Sequence, residues 1–323
     1  MNNVGLVGYG YWGRILTRAI LKTNKYKIKW ICDSNPNNIV NLEIPVYTDL
    51  NVALSQNDVD LVIVTTPAST HFQLSKTVLE KSISVLVTKP VTLNYKELVT
   101  LIELASRQKC KLFADHTFLY SDIFVYLENL IIENRFGKLN NFYSNRSNLG
   151  KFQKDASVIE DLMIHDIYMV DRFIGELPSS VYAIGNLHQG IDTFSSGSSV
   201  LVYKNGFTAF LNASWLSPIK VREVRVTGSK LFANWIDNNP EDKKLGLFEF
   251  DSIFDFDTDP ANPKTLYYPK IAQVETLLNE LTHINDQITG TIEIDYAPLL
   301  RVAKIIDTIK LSISTNSSII LGD

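Results

Sequence analysis

Short apolar runs alternate with helix-forming segments over the first 115 residues of the 323-residue chain. The apolar runs, which are rich in β-branched residues, are residues 4–7, 28–32, 61–64, 85–87 and 112–114. Segments able to form helices lie between most of them, at residues 13–22, 71–81 and 95–107. Strands that are apolar on both faces and separated by helices belong to a parallel sheet covered on both sides. With right-handed crossovers, this pattern predicts an α/β fold with a doubly wound Rossmann sheet.

The pattern changes after residue 118, where consecutive strands replace the alternation. A long helix is predicted at residues 156–174, and a run of strands follows it. Two strand pairs carry two-residue hairpin signals, Asn205-Gly206 and Gly228-Ser229. Antiparallel strands with helices set apart are typical of an α+β domain. We therefore expect a Rossmann domain at residues 1–118, and at residues 119–323 an α+β domain with a large, mostly antiparallel, open-faced sheet.

A glycine-rich turn directly follows the first predicted strand and opens the first helix. It contains Gly8, Gly10 and Gly13 in G-x-G-x-x-G spacing, with Tyr11 and Trp12 before the last glycine. The first glycine permits a tight turn, the second lets a pyrophosphate approach the backbone, and the third lets the helix pack on the strand. The helix N-terminus then faces the phosphates. The motif predicts a dinucleotide site, the alternative being a glycine-rich turn without a ligand.

An acidic residue, Asp33, ends the second predicted strand about 20 residues beyond the glycine motif. A carboxylate at this place can hydrogen-bond both ribose hydroxyls and repels a 2′-phosphate. Ser34 and Asn35 follow, so no Arg or Lys stands beside Asp33 to receive a 2′-phosphate. The sequence therefore favours NAD over NADP, although an Asp before Asn35-Pro36 also fits a plain turn.

Polar residues also follow the next two predicted strands. Thr65, Thr66 and Pro67 come directly after residues 61–64, and Lys89 follows residues 85–87. Ligands of open α/β sheets bind at the carboxyl ends of the strands. We expect these residues, together with His71 at the start of the following helix, to contact the cofactor. Lys89 can also hydrogen-bond a substrate hydroxyl or tune a neighbouring base, the alternative being a solvated loop lysine.

Asp161 and His165 lie four residues apart in the predicted helix at residues 156–174, so they share one face. A histidine with a pKa near neutrality can take a hydroxyl proton while a hydride leaves the same carbon. A carboxylate one turn away can orient the imidazole or hold another hydroxyl. The alternatives are a pair on an exposed face and a buried histidine bonded to the backbone.

Several classes of protein do not fit the composition. The formal net charge is −4 and Lys and Arg are scattered, so we expect no nucleic-acid partner. The apolar runs are too short to cross a membrane, and no secretory signal is recognisable. Two cysteines make no disulfide framework, so we expect a cytoplasmic protein. His71, His116, His188 and His283 have no metal-site spacing with cysteines or acids, and no metal is expected.

The glycine-rich motif, Lys89-Pro90, and Asp161 with His165, in this order along the chain, resemble the Gfo/Idh/MocA oxidoreductase family. This family includes glucose–fructose oxidoreductase and inositol dehydrogenase. The family's usual Glu-Lys-Pro is Thr88-Lys89-Pro90 here, so the Lys-Pro core is kept and the Glu is lost. The family's Asp-x-x-x-His corresponds to Asp161 and His165. The resemblance implies an NAD-dependent dehydrogenase in which Lys89 and His165 are the catalytic pair and Asp161 contacts substrate or assists.

The likeness is narrower at residues 8–13, 116–120, 148–153 and 161–166. These segments are similar to the branch that oxidises the ring C3 hydroxyl of UDP-N-acetylhexosamines or their uronic acids in bacterial surface-glycan pathways. His116, in the second segment, and Arg146 and Asn148, at the end of a predicted strand, are candidate substrate contacts. A surface salt bridge is the alternative for Arg146. Glu160 stands where that branch usually has an aromatic residue.

Three functions remain open. The first is C3 oxidation of a sugar, in which His165 is the base and Lys89 hydrogen-bonds the same oxygen. The second is oxidation of inositol or a free sugar with the same residues. The third is an NAD-binding sensor without chemistry, since fold does not settle function. The joint presence of Lys89, Asp161 and His165 argues against the sensor.

The predicted open-faced sheet also suggests self-association. Alternating apolar residues of one strand, Phe207, Ala209, Leu211 and Ala213, are expected to cover its free face against another subunit. We therefore expect a homodimer or a homotetramer.

Overall fold

The computed structural model describes residues 1–39, 42–56, 58–150, 152–190, 192–249, 266–272 and 274–322. Lys151, within one of the segments that carry the narrower likeness, lies outside them. The chain forms two compact units. The N-terminal unit comprises Met1–Ser121 and Val274–Leu300, and the C-terminal unit comprises Asp122–Gln273 and Arg301–Asp323.

The helices and strands are named here in chain order. The strands are β1 (Asn2–Val7), β2 (Tyr26–Cys32), β3 (Val46–Tyr47), β4 (Leu61–Val64), β5 (Ser84–Thr88), β6 (Leu112–Asp115), β7 (Leu139–Ser147), β8 (Ser180–Leu187), β9 (Phe194–Val202), β10 (Thr208–Ser214), β11 (Val221–Gly228), β12 (Leu231–Ile236), β13 (Leu245–Glu249), β14 (Leu266–Tyr267) and β15 (Ile319–Ile320). The helices are α1 (Tyr11–Lys22), α2 (Leu50–Leu54), α3 (Ala68–Leu79), α4 (Tyr95–Arg107), α5 (Asp122–Ile132), α6 (Ile164–Ile174), α7 (Thr276–Ile288) and α8 (Ala297–Thr315).

The N-terminal unit is built on a six-stranded parallel sheet in the order β3-β2-β1-β4-β5-β6. This is the Rossmann order, and the predicted fold is confirmed. The strand order reverses between the neighbouring parallel strands β1 and β4, so the turns after these two strands share one edge. The predicted strands all form, and the structure adds the short edge strand β3.

Helix α7 belongs to the N-terminal unit, although the sequence-based boundary assigned all of residues 119–323 to the second domain. Its side chains Leu277, Leu281 and Ile284 are buried in the same hydrophobic core as Val4 and Leu6 of β1. Burial of this apolar face on the Rossmann sheet outweighs proximity along the chain. The boundary drawn from the change of pattern therefore needs this correction.

The C-terminal unit contains a nine-stranded sheet in the order β14-β13-β12-β11-β7-β10-β9-β8-β15. Neighbouring strands are antiparallel except for the parallel pair β7 and β10. The predicted α+β domain with its large, mostly antiparallel sheet is confirmed. Because β7 and β10 are parallel, the segments that follow them, from Asn148 and from Trp215, leave the sheet at the same edge.

The two faces of this sheet differ from the prediction. Phe207, Ala209, Leu211 and Ala213 are buried within the chain, on the face that packs against α6 and the preceding turn. Side chains of a strand alternate between faces, so the uncovered face carries the intervening residues. Its exposed apolar side chains are Tyr182, Ile184, Val202 and Phe210. The expectation that the four residues from Phe207 to Ala213 cover an intersubunit face was therefore wrong. The uncovered face carries the residues one position along the strand from them.

Candidate functional site

The glycine-rich turn after β1 has space for a ligand at one glycine and none at the other two. Gly8 has φ +91°, and a Cβ there would lie 2.9 Å from Thr66 Cγ2. A Cβ on Gly13 would lie 2.3 Å from the carbonyl oxygen of Gly8. A Cβ on Gly10 meets no atom within 4 Å. The chain's own packing therefore requires Gly8 and Gly13, whereas Gly10 keeps the start of α1 open, as a pyrophosphate requires.

Asp33, directly after β2, is fixed by the backbone of two turns. Its Oδ2 accepts a hydrogen bond from Tyr9 N at 2.6 Å, and its Oδ1 accepts one from Asn35 N at 2.7 Å. An ionised carboxylate oxygen has more than one acceptor site, so both oxygens can still accept a ribose hydroxyl. The turn-forming role and the ribose-binding role of Asp33 are therefore compatible.

The residues after β4 are tied to the glycine-rich turn and to the residues after β5. Thr65 Oγ1 donates to the carbonyl oxygen of Gly8 at 2.7 Å. The buried His71 ring places Nδ1 2.8 Å from the carbonyl oxygen of Pro90 and Nε2 2.8 Å from that of Thr66. A neutral imidazole donates only one of these bonds, and an imidazolium donates both. His71 thus holds the two segments together, and its contact with cofactor stays a prediction.

Lys89 directly follows β5, is half-buried, and precedes a cis peptide bond to Pro90. Thr88, where the family usually has Glu, is buried and donates its hydroxyl to the carbonyl oxygen of Val64 at 3.2 Å. His116 is buried after β6, and burial, followed by the positive charge of Lys89, lowers its pKa to about 3. The His116 imidazole is therefore neutral at physiological pH. Lys89 therefore lies near a neutral imidazole and follows a threonine where the family usually has a glutamate.

In the C-terminal unit, the predicted helix at residues 156–174 begins as a π-helical turn at Ile159–Met163 and continues as α6. Such turns are rare and recur at functional sites. Asp161 lies within this turn, and its Oδ2 accepts a hydrogen bond from Trp215 Nε1 at 2.8 Å. His165 lies in the first turn of α6 and is half-buried. The two predicted residues therefore share one helical segment, with Asp161 oriented by a tryptophan.

Trp215 is the partner that the sequence did not reveal. It follows β10, is fully buried, and contacts the ring of Phe152 edge-on, with centroids 5.8 Å apart. In the sequence, Trp215 lies 54 residues from Asp161, and no local spacing links the two. The available signal for a role at the site was the position of Trp215 directly after β10. The chain leaves the sheet there at the same edge as at the candidate substrate residue Asn148. Asn148 is half-buried and donates its main-chain N–H to Ser214 O at 2.9 Å.

Arg146 is a buried residue of β7 rather than a surface residue. Its guanidinium donates to both carboxylate oxygens of Asp166, with Nη2 2.7 Å from Oδ1 and Nε 3.3 Å from Oδ2. Glu160 is also buried and bonds to Lys310 Nζ at 2.8 Å and to Ser157 N at 2.8 Å. Both residues thus hold α6 and its preceding turn in place. The direct substrate contact expected of Arg146 stays a prediction.

Two kinds of feature are absent from the described part of the chain. No group of three or more His, Cys, Asp or Glu side chains is placed to hold a metal ion there. No helix there is both long enough and apolar enough to traverse a lipid bilayer.

Comparison with protein families identifies both parts of the chain. Residues 2–116 match the model described as oxidoreductase family, NAD-binding Rossmann fold, and residues 124–232 match the GFO/IDH/MocA C-terminal domain. The chain belongs to the Gfo/Idh/MocA oxidoreductase family. The predicted family and the NAD cofactor are thereby confirmed, as is a dehydrogenase-type oxidoreductase activity.

Curated relatives of the chain include two kinds of enzyme named for sugar derivatives. A UDP-N-acetylglucosamine 3-dehydrogenase of Acidithiobacillus ferrooxidans is 25% identical over 71% of the chain and 72% of the relative. A 2,7-anhydro-N-acetylneuraminate hydratase of Escherichia coli K12 is 26% identical over 57% of the chain, which spans 53% of that relative. Among solved structures, GenD2 from gentamicin A biosynthesis in complex with NAD has a TM-score of 0.85 at 18% identity, over 100% of this chain and 97% of GenD2. The A. ferrooxidans enzyme, GnnA, has a TM-score of 0.82 at 21% identity, over 97% and 98%. The structural matches support the fold.

Proposed function

We propose that this oxidoreductase transfers a hydride between ring C3 of a nucleotide-linked N-acetylhexosamine, or its uronic acid, and NAD. The proposal is supported by the 25% identical UDP-N-acetylglucosamine 3-dehydrogenase, which matches over 71% of the chain. It is also supported by the four segments that resemble this branch. Glu160, which stands where the branch usually has an aromatic residue, bonds internally to Lys310 and Ser157.

The proposed chemistry assigns one role to each of three side chains. His165 takes the proton of the C3 hydroxyl as the C3–H bond breaks, and a ketone forms. NAD, when bound, would supply the acceptor for the hydride. Lys89 stabilises the negative charge that develops on the substrate oxygen. Asp161 orients the sugar or the imidazole of His165.

The observation that carries this assignment is the hydrogen bond between Trp215 Nε1 and Asp161 Oδ2. A carboxylate on a solvated helix face accepts its hydrogen bonds from water, whereas Asp161 accepts one from the fully buried indole of Trp215. Asp161 is instead held half-buried in a π-helical turn, one turn before His165. This arrangement favours a catalytic pair over the exposed-face alternative.

The test is a kinetic assay that follows the absorbance of reduced nicotinamide. Purified protein and NAD are mixed with UDP-N-acetylhexosamines, their uronic acids, inositol and free hexoses. The proposal expects turnover with the UDP-sugars and a 3-keto product. Turnover only with inositol or free sugars would favour the second function. Lys89→Ala and His165→Ala variants as active as the wild type would contradict the catalytic assignment.

We also propose self-association, as a homodimer or homotetramer, through the uncovered face of the nine-stranded sheet. The exposed apolar side chains of Tyr182, Ile184, Val202 and Phe210 on that face support it. Light scattering is expected to show at least a dimer at micromolar concentration. A Phe210→Lys variant is expected to shift it towards the monomer.

A further inference from the structure

Two buried carboxyl groups meet beneath the glycine-rich turn of the N-terminal unit. Asp115 ends β6 and Glu280 comes from α7, and both are almost completely buried. Trp12 of the glycine-rich turn donates its Nε1–H to Asp115 Oδ2 at 2.5 Å. His116 N donates to Glu280 Oε1 at 2.7 Å, and the Thr117 hydroxyl lies 2.7 Å from Asp115 Oδ1 and 3.0 Å from Glu280 Oε2. This cluster therefore joins α7 to two residues predicted to contact ligands, Trp12 and His116.

The cluster is stable with one proton shared between its two acids. Burial, followed by the charge of Asp115, raises the pKa of Glu280 well above its usual value. Hydrogen bonds from His116 N and Thr117 act in the opposite direction but are outweighed. Burial, followed by the charges of Asp286 and Glu280, raises the pKa of Tyr26 of β2. Two carboxylates this close do not both ionise, so Glu280 is the protonated acid.

We propose that Glu280 is a positioning residue for NAD binding. As a neutral acid it donates a hydrogen bond to Asp115, which in turn fixes Trp12, and it accepts one from the main chain at His116. The inference rests on the proposed placement of NAD at the glycine-rich turn. Glu280, which lies 164 positions after His116 in the sequence, thus completes the cofactor-binding edge of the Rossmann sheet.

Two substitutions separate the hydrogen bonds of Glu280 from its proton. Glu280→Gln keeps an acceptor for His116 N and a donor for Asp115, and it removes the titration. Glu280→Leu removes both bonds. By calorimetry, Glu280→Leu is expected to bind NAD about ten- to hundredfold more weakly than the wild type, and Glu280→Gln within about threefold of it. Glu275→Gln is the matched control, because Glu275 precedes the same helix in an exposed ion pair with Lys22.

Thermal unfolding over a pH series adds a readout that loss of packing alone would not change. A folded-state acid with a raised pKa keeps its proton after the unfolded chain has released it. The wild type should therefore lose stability as pH rises above the ordinary titration range of a glutamate in the unfolded chain. Glu280→Gln should flatten this slope, and Glu275→Gln should not.

The outcomes separate this inference from the assignment of the NAD site. A folded Glu280→Leu variant that binds NAD like the wild type overturns the inference alone, as does a Glu280→Gln variant as weak as Glu280→Leu. If Glu280→Leu does not fold, a Glu280→Gln variant with an unchanged pH slope overturns it. A wild-type protein that binds no NAD contradicts the cofactor placement, and the inference with it.

Discussion

The two units hold their candidate ligand-binding residues by different means. In the N-terminal unit, main-chain groups carry most of the geometry, as in the tight turn at Gly8 and the bond from Thr65 Oγ1 to the Gly8 carbonyl. In the C-terminal unit, pairs of side chains carry it, as in Asp161 with Trp215 and Arg146 with its buried carboxylate partner. The glycine spacing of the first site is a local sequence motif, whereas no local motif marks the side-chain pairs of the second.

This difference predicts that substitutions in the two units have separable effects. Changes at the glycine-rich turn should act on NAD affinity. Changes around Asp161 and His165 should act on turnover or on stability and leave NAD affinity intact. The following variants are ordered from the largest expected effect to the smallest.

His165→Ala is expected to have the largest effect on activity. Removal of a general base typically lowers the rate by about 10²- to 10⁴-fold. NAD affinity, measured by calorimetry on the same protein, should be unchanged because the cofactor fingerprint lies in the other unit. A loss of NAD affinity comparable with the loss of kcat would contradict the prediction that substitutions in the two units have separable effects.

Arg146→Met tests the buried ion pair of the C-terminal unit. The substitution leaves Asp166 buried without its partner, which typically costs about 3–5 kcal/mol of unfolding free energy. The control is Arg135→Met, because Arg135 forms an exposed pair with Glu249 that should be worth at most about 1 kcal/mol. Denaturant unfolding compares the two variants. Equal stabilities would mean that Arg146 matters for substrate rather than for the fold.

Gly13→Ala and Gly10→Ala form a matched pair within the glycine-rich turn. The new methyl group at Gly13 would meet the Gly8 carbonyl at 2.3 Å, so we expect a loss of about 1–3 kcal/mol of stability and weaker NAD binding. The methyl group at Gly10 meets no protein atom within 4 Å, so we expect unchanged stability and weaker NAD binding alone. Normal NAD binding by Gly10→Ala would contradict a pyrophosphate at this glycine.

The same difference explains how much the sequence could predict. The Rossmann sheet, the glycine-rich turn and the position of Lys89 follow from short-range patterns. Asp161 and His165 were found by their spacing. The π-helical turn that contains Asp161 was not predicted, and neither was the partner of Asp161, because Trp215 is 54 residues away. The assignment of α7 failed for a similar reason, since its apolar face is typical of any amphipathic helix and does not identify the core that it joins.

Trp215→Phe should have the smallest effect, because it removes one hydrogen bond and keeps a buried aromatic ring. A hydrogen bond to a carboxylate contributes about 1.5–3 kcal/mol, and we expect the lower end of this range, a fall in kcat/KM of about tenfold. NAD affinity should not change. Measurement of kcat and KM separately shows whether Asp161 acts on the transition state or on sugar binding.

Trp235→Phe is the matched control for this last variant. Trp235 is a buried tryptophan of β12 in the same unit, and within the described residues its Nε1 has no hydrogen-bond partner. The same loss of an indole N–H should therefore leave kcat/KM unchanged. If Trp235→Phe lowers kcat/KM as much as Trp215→Phe does, the effect reflects general packing of the sheet. If only Trp215→Phe lowers it, Asp161 depends on a side chain that no local motif could have indicated.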